Sequence, residues 1–130
     1  MPRTAVVAEV ARAKSAVDDE KILMAILHFV QPNLLLHVES MHRVLNENAT
    51  RWAGIFDSFR VVGGKTCPRL DQILTHLRVQ RRLIGRSEDG RYIHCNQSAS
   101  SALKAAKEGF TTAQLHLFQE IAHQFMDAAH

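Results

Sequence analysis

Residues 66–95 narrow the choice of folds more than any other part of this 130-residue chain. Pro68, behind Thr66 and Cys67, suits the first turn of a helix, where its missing N–H costs nothing and its φ is already helical. Leu70, Ile73, Leu74 and Leu77 follow at the three- and four-residue spacing of one helical face. Arg81 would swing back into that apolar stripe, so the spacing predicts a helix that ends near Val79 or Gln80. Residues 83–86 and 91–95 then flank Ser87-Glu88-Asp89-Gly90. An Asp-Gly pair between β-type segments predicts a hairpin closed by a type I′ turn, in which both central residues need positive φ. With Asp89-Gly90 as the loop, Ile84 opposes Cys95 and Arg86 opposes Ile93. Ile84, Ile93 and Cys95 thus share the face that covers the helices.

The remainder reads as helical. Thr4 can cap an N-terminal arm whose Val6, Val10, Ala13 and Val17 form one thin stripe, suited to lying against the domain itself or against a partner. Asp18 and Asp19 stop the stripe and offer a cap to a helix over 20–31. Ile22, Leu23, Ile26, Leu27, Phe29 and Val30 cover most of that helix, which places it at the centre. Pro32 ends it. Asn33 is expected to cap a third helix in which Leu34, Leu35, Val38, Met41 and Leu45 share a face. A fourth short helix is expected from Trp52, Ile55, Phe56 and Phe59, followed by an extended Val61-Val62 and a Gly63-Gly64 turn. A short helix over 98–108 finishes at Gly109. Thr111 and Gln114 form a capping box, with Phe110 and Leu115 as a hydrophobic staple, at the start of the last helix. Its expected core face is Leu115, Phe118, Ile121, Ala122, Phe125 and Met126. The expectation is one mostly α domain with a small β-hairpin (α+β): an arm over 1–17, a core over 20–97 and C-terminal helices over 98–130.

Composition bounds the function. With 46% apolar and 22% charged residues the chain can bury a core of its own. No apolar run reaches the roughly 18–20 residues of a membrane span, and Glu9 and Arg12 interrupt the N-terminal apolar residues too early for a secretory segment. Two cysteines do not make a disulfide framework. An intracellular protein, cytoplasmic or nuclear, with reduced thiols and no membrane partner is expected. The net charge of +3 is unevenly spread. Residues 60–91 hold Arg60, Lys65, Arg69, Arg78, Arg81, Arg82, Arg86 and Arg91 against Asp71, Glu88 and Asp89, a local +5, while the rest of the chain is −2. Such an excess on a near-neutral body suits an anionic partner or, more plainly, an arginine-rich solvated surface.

The helix over 68–80, the strands over 83–86 and 91–95 and the turn at Asp89-Gly90 resemble the recognition helix and wing of the winged-helix superfamily. Residues 34–59 would supply two preceding helices, although the connection from Phe59 to Thr66 is longer than the 3–4-residue turn of a helix-turn-helix. The resemblance implies a winged-helix-like domain with additional helices at both ends. It implies DNA binding, in transcription regulation or genome maintenance, by a dimer or complex subunit. The same fold also serves as a protein-interaction module in larger complexes or homodimers.

In the DNA-binding reading, the helix turns Gln72, Thr75, His76, Val79 and Arg82 toward the major groove. Gln72 suits an adenine edge and Arg82 a guanine edge or a phosphate. Arg86 and Arg91 on the wing, with Lys65 and Arg69 near the helix start, would grip the backbone. In the assembly reading, Val6, Val10, Val17 and Val79 meet another chain. Enzyme chemistry is not expected. Glu-x-x-His occurs twice, at Glu39–His42 and Glu120–His123, a pattern that supplies ligands in di-iron bundles. On the last helix, however, His116, Glu120, His123, Asp127 and His130 line the side away from the core. Cys67 sits at a helix N-terminus, where a thiol can be activated, but has no assignable acid or histidine partner and reads as structural. No glycine-rich phosphate loop or nucleophile elbow is present, and neither metal nor cofactor is expected.

Overall fold

The computed structural model describes residues 16–52, 56–61 and 66–128. The chain is mostly helical with a small three-stranded antiparallel sheet. Helix α1 (Ala16–His28) is followed by β1 (Leu36–His37), α2 (Val38–Arg51) and a 3-10 turn (Asp57–Phe59). Then come α3 (Pro68–Val79), β2 (Ile84–Arg86), β3 (Tyr92–Cys95), a second 3-10 turn (Gln97–Ala99), α4 (Ser100–Ala106) and α5 (Thr112–Ala128).

Helix α1 is the hub. Ile22, Leu23, Met24, Ala25, Ile26 and Leu27 are consecutive and all buried, because α4 and α5 pack against the helix. A helix apolar around its circumference is stable only when enclosed in this way. Asp18 and Asp19 lie inside α1 rather than capping a helix that starts at 20, and the helix stops at His28. Asp19 is tolerated there because Arg69 reaches it from α3.

The third helix starts later than the spacing predicts. Asn33 does not cap it; it adopts φ 67° and donates its N–H to the Cys95 carbonyl. Leu36, fully buried, pairs with Ile93, and His37 pairs with Tyr92, so these residues form a strand. The Val38 N–H is bonded across to the Arg91 carbonyl, and the helix winds only from there. Leu35, placed on the helical face by spacing, is 52% exposed. A helical run through 34–38 would have removed Leu36 from the sheet.

The hairpin keeps the expected register: Ile84 opposes Cys95 and Arg86 opposes Ile93. Ile84, Ile93 and Cys95 are all buried. The turn differs from type I′. Gly90 has φ 74°, whereas Asp89 is not in the left-handed region. The Gly90 N–H closes on the Ser87 carbonyl and the Ser87 N–H on Tyr92. Ser87 donates its hydroxyl to Asp89, whose Oδ1 also accepts the Arg91 N–H. These bonds, the Ser87 hydroxyl first, hold the Asp89 carboxyl below its usual pKa. Side-chain bonds of this kind stabilise a longer loop that needs only one positive φ. Across the strands, Gly85 has no room for a side chain where it stands, since a Cβ there would lie 2.4 Å from the His94 ring.

In place of a fourth helix the described residues hold a 3-10 turn, with Phe56 and Phe59 fully buried, so residues 34–59 supply one α-helix before α3 rather than the expected two. Phe56 and Phe110 meet Phe118 of α5 edge to face at 6.4 and 5.1 Å. The capping box forms in both directions: Thr111 N–H to Gln114 Oε1, 2.7 Å, and Gln114 N–H to Thr111 Oγ1, 3.1 Å. Gly109 at φ 94° makes the bend before it. The buried face of α5 is Gln114, Leu117, Phe118, Ile121, Ala122 and Phe125, with Leu115 and Met126 at its margins.

Candidate nucleic-acid interface

Helix α3 is set in place from its first residue. The backbone N–H of Cys67, at N-cap, donates to Nδ1 of His42 on α2 at 2.9 Å. That nitrogen therefore carries a lone pair, and the proton sits on Nε2, which donates to Asp71 Oδ1 at 3.1 Å. His42 is 4% exposed, so one buried imidazole joins α2 to the start of α3. Nothing in the local sequence announces this role. Glu39, the other half of that Glu-x-x-His pair, stays on the surface.

The core face of α3 is Leu70, Ile73, Leu74 and Leu77, as the spacing predicts. Gln72, Thr75, His76 and Val79 are exposed. Two residues proposed to contact DNA, Arg69 at phosphate and His76 on the groove face, are bonded within the molecule. Arg69 donates Nε to Asp19 Oδ2 at 3.2 Å and Nη1 to Gln72 Oε1 at 3.4 Å. His76 bonds through Nδ1 to Glu20 Oε1, and Arg81 lies 3.7 Å from Glu20 Oε2. The acids at the start of α1 thus run along one flank of α3 and offset its cations.

Arg82 is not on the helix. The helix ends at Val79, and Arg82 takes φ 55° in the turn toward β2, where its carbonyl accepts from Asn96 Nδ2 and the Leu83 N–H returns to Leu77. Counting it on the same helical face fails because the helical repeat has stopped by that point. Its side chain is exposed, as are those of Arg78, Arg86 and Arg91. Arg86 donates Nε to the Gly90 carbonyl at 3.0 Å, which lays it over the turn. Arg91 lies 3.9 Å from Asp89 in a solvent-facing pair worth little. An open groove of about 920 Å³ lies beside the start of α3, lined by Thr66 and Asp71, by His37, Glu39 and His42, and by Arg86 and Arg91. Lys65 lies outside the described residues, as do Val6 and Val10 and the side chain of Val17. Val79, from the same proposed assembly surface, is 49% exposed.

Among the described residues no three His, Cys, Asp or Glu side chains come together as metal ligands. Glu120 pairs with Arg51 on the surface. Both thiols are buried. Burial raises the Cys67 pKa, against the hydrogen bonds at the helix start that pull it down, and pushes Cys95 up to about 12. Because the thiolate is the reactive form, a disulfide reagent at mildly alkaline pH is expected to leave the folded protein unmodified. It should titrate two thiols after denaturation; prompt reaction of Cys67 in the native protein would contradict this assignment. Among the described residues no helix is long and apolar enough to cross a membrane. No family model, curated protein or solved structure matches the chain.

Proposed function

We propose that this chain is a winged-helix protein that binds duplex DNA, with α3 in the major groove and the β2–β3 hairpin against the phosphate backbone. One observation carries the reading. Two helices, α1 and α2, precede α3; the hairpin follows it and packs on the same core; and β1 ties the hairpin to the helices in a sheet ordered β1-β3-β2. That arrangement leaves the outer face of α3 and the hairpin open to a partner. Arg82 at the helix exit and Arg86 and Arg91 on the hairpin supply exposed positive charge there, which suits phosphate contacts that position a duplex rather than read it.

Fluorescence anisotropy with a labelled duplex of about two helical turns tests the proposal. Three arginine–phosphate contacts imply a loss of about 40-fold in affinity between about 50 and 200 mM salt. Absence of binding at the lower salt would defeat the reading.

Exposure of Val79 and Leu35 favours a second use of the same fold, contact with another protein chain. Light scattering tests this use of the α3 face. A stable dimer dispersed by Val79→Asp would assign the face of α3 to a second copy of the chain.

A further inference from the structure

The outward line of α3 carries no basic residue of its own, and Arg69 reaches it only from the side to bond Gln72; from this we infer that the chain favours A·T base pairs, read by Gln72, Thr75 and Val79. The inference rests on the duplex-binding reading above and adds the chemistry of the site it would select.

Exposed residues at 72, 75 and 79 follow one another along the side of α3 opposite Leu70, Ile73, Leu74 and Leu77. The basic residues near this line are all displaced from it. Arg69 and His76 are bonded to Asp19 and Glu20. Arg78 lies about 100° round the helix from Val79, and Arg82 has left the helix at φ 55°. A guanine presents two acceptors, O6 and N7, that an arginine or lysine fork satisfies. The guanidinium that does reach this line, that of Arg69, is turned to Asp19 and Gln72.

The three residues that do stand there match the other pair. A glutamine amide can accept from adenine N6 and donate to N7. The Gln72 amide is already oriented, because Arg69 Nη1 donates to its Oε1. That bond leaves a second lone pair on the oxygen and both amide hydrogens for a base. The methyl groups of Thr75 and Val79 suit the C5-methyl of thymine. Val79, 49% exposed, would cover the N4 donor of a cytosine without accepting from it, which penalises G·C at that step. From residue 72 to 79 the helix rises about 10 Å, so these three side chains reach only a few neighbouring base pairs.

Selection of the full chain on a randomised duplex pool, followed by anisotropy on the chosen duplex, tests this. Enrichment of A·T steps is expected. Replacing the thymines by deoxyuridine removes only major-groove methyls and should weaken wild-type binding about fourfold per contacted methyl, with less effect on Val79→Ala. Replacing adenine by 7-deazaadenine should weaken wild-type binding about fivefold or more and leave Gln72→Ala indifferent. Salt-sensitive binding with no sequence preference, or with G·C enrichment, overturns the inference and leaves the duplex reading standing. A·T enrichment insensitive to deoxyuridine and 7-deazaadenine overturns it as well, since the preference then comes from the minor groove. No binding to any duplex overturns both.

Discussion

Leucine at position 42 is expected to lower the unfolding free energy by about 2–4 kcal/mol, the sum of a buried donor left unbonded and a lost side-chain bond. His42→Leu keeps an apolar volume but strands the Cys67 N–H and releases Asp71, both of which the imidazole satisfies at 2.9 and 3.1 Å. In a chain of this length that corresponds to a fall in Tm on the order of 10 °C. His42→Asn is expected to recover part of the loss, because its Oδ1 stands where Nδ1 stood and can accept from Cys67. Asp71→Asn should be mild, since Asp71 is half exposed and an amide oxygen still accepts. Thermal and urea unfolding of the three variants measure this. Equal stability of His42→Leu and wild type would mean that the imidazole is not what joins α2 to α3.

The triple reversal Arg82→Glu, Arg86→Glu, Arg91→Glu is expected to reduce duplex affinity at least about a hundredfold at low salt and to shrink the salt slope by about 3. Its selectivity comes from exposure. All three side chains face solvent, and the hairpin register depends on backbone pairing and on Ile84, Ile93 and Cys95 rather than on their charges. Circular dichroism should therefore be unchanged. Arg69→Ala is the informative contrast, for it frees buried Asp19 from its ion pair and should cost stability more than binding. Unaltered affinity in the triple variant would remove the hairpin from the proposed interface.

These expectations differ in how far the sequence could have led to them. The hairpin was legible because its signal is local: alternating residues around Asp89-Gly90 allow one register that buries Ile84, Ile93 and Cys95. Even so, the turn type was not, since the Ser87 hydroxyl and the Asp89 carboxylate build a loop that the dipeptide alone does not specify. Strand β1 was hidden for the opposite reason. Two residues carry no periodicity, and Leu36 is extended because Ile93, 57 positions later, pairs with it. The apolar residues around it meanwhile imitate a helical face. The exposed side chains of α3 and the hairpin were legible, Arg86 and Arg91 included, but the pairing that offsets Arg69 and His76 was not. Asp19 and Glu20, some fifty residues upstream, meet Arg69 and His76 only once α1 is folded against α3. His42 illustrates the same limit, because its partners lie across an inter-helix contact.

The sheet itself governs how a partner can approach. Its two margins are Leu36–His37 and Ile84–Arg86, two and three residues long. A lateral margin that short exposes too few amides and carbonyls to recruit an incoming extended peptide, and the arginine on one of them adds charge against self-stacking. Concentrated solutions should accordingly resist edge-to-edge growth of this sheet into fibrils, and a molecule that docks on the described residues is met by side chains and helix surfaces instead of by a sheet edge.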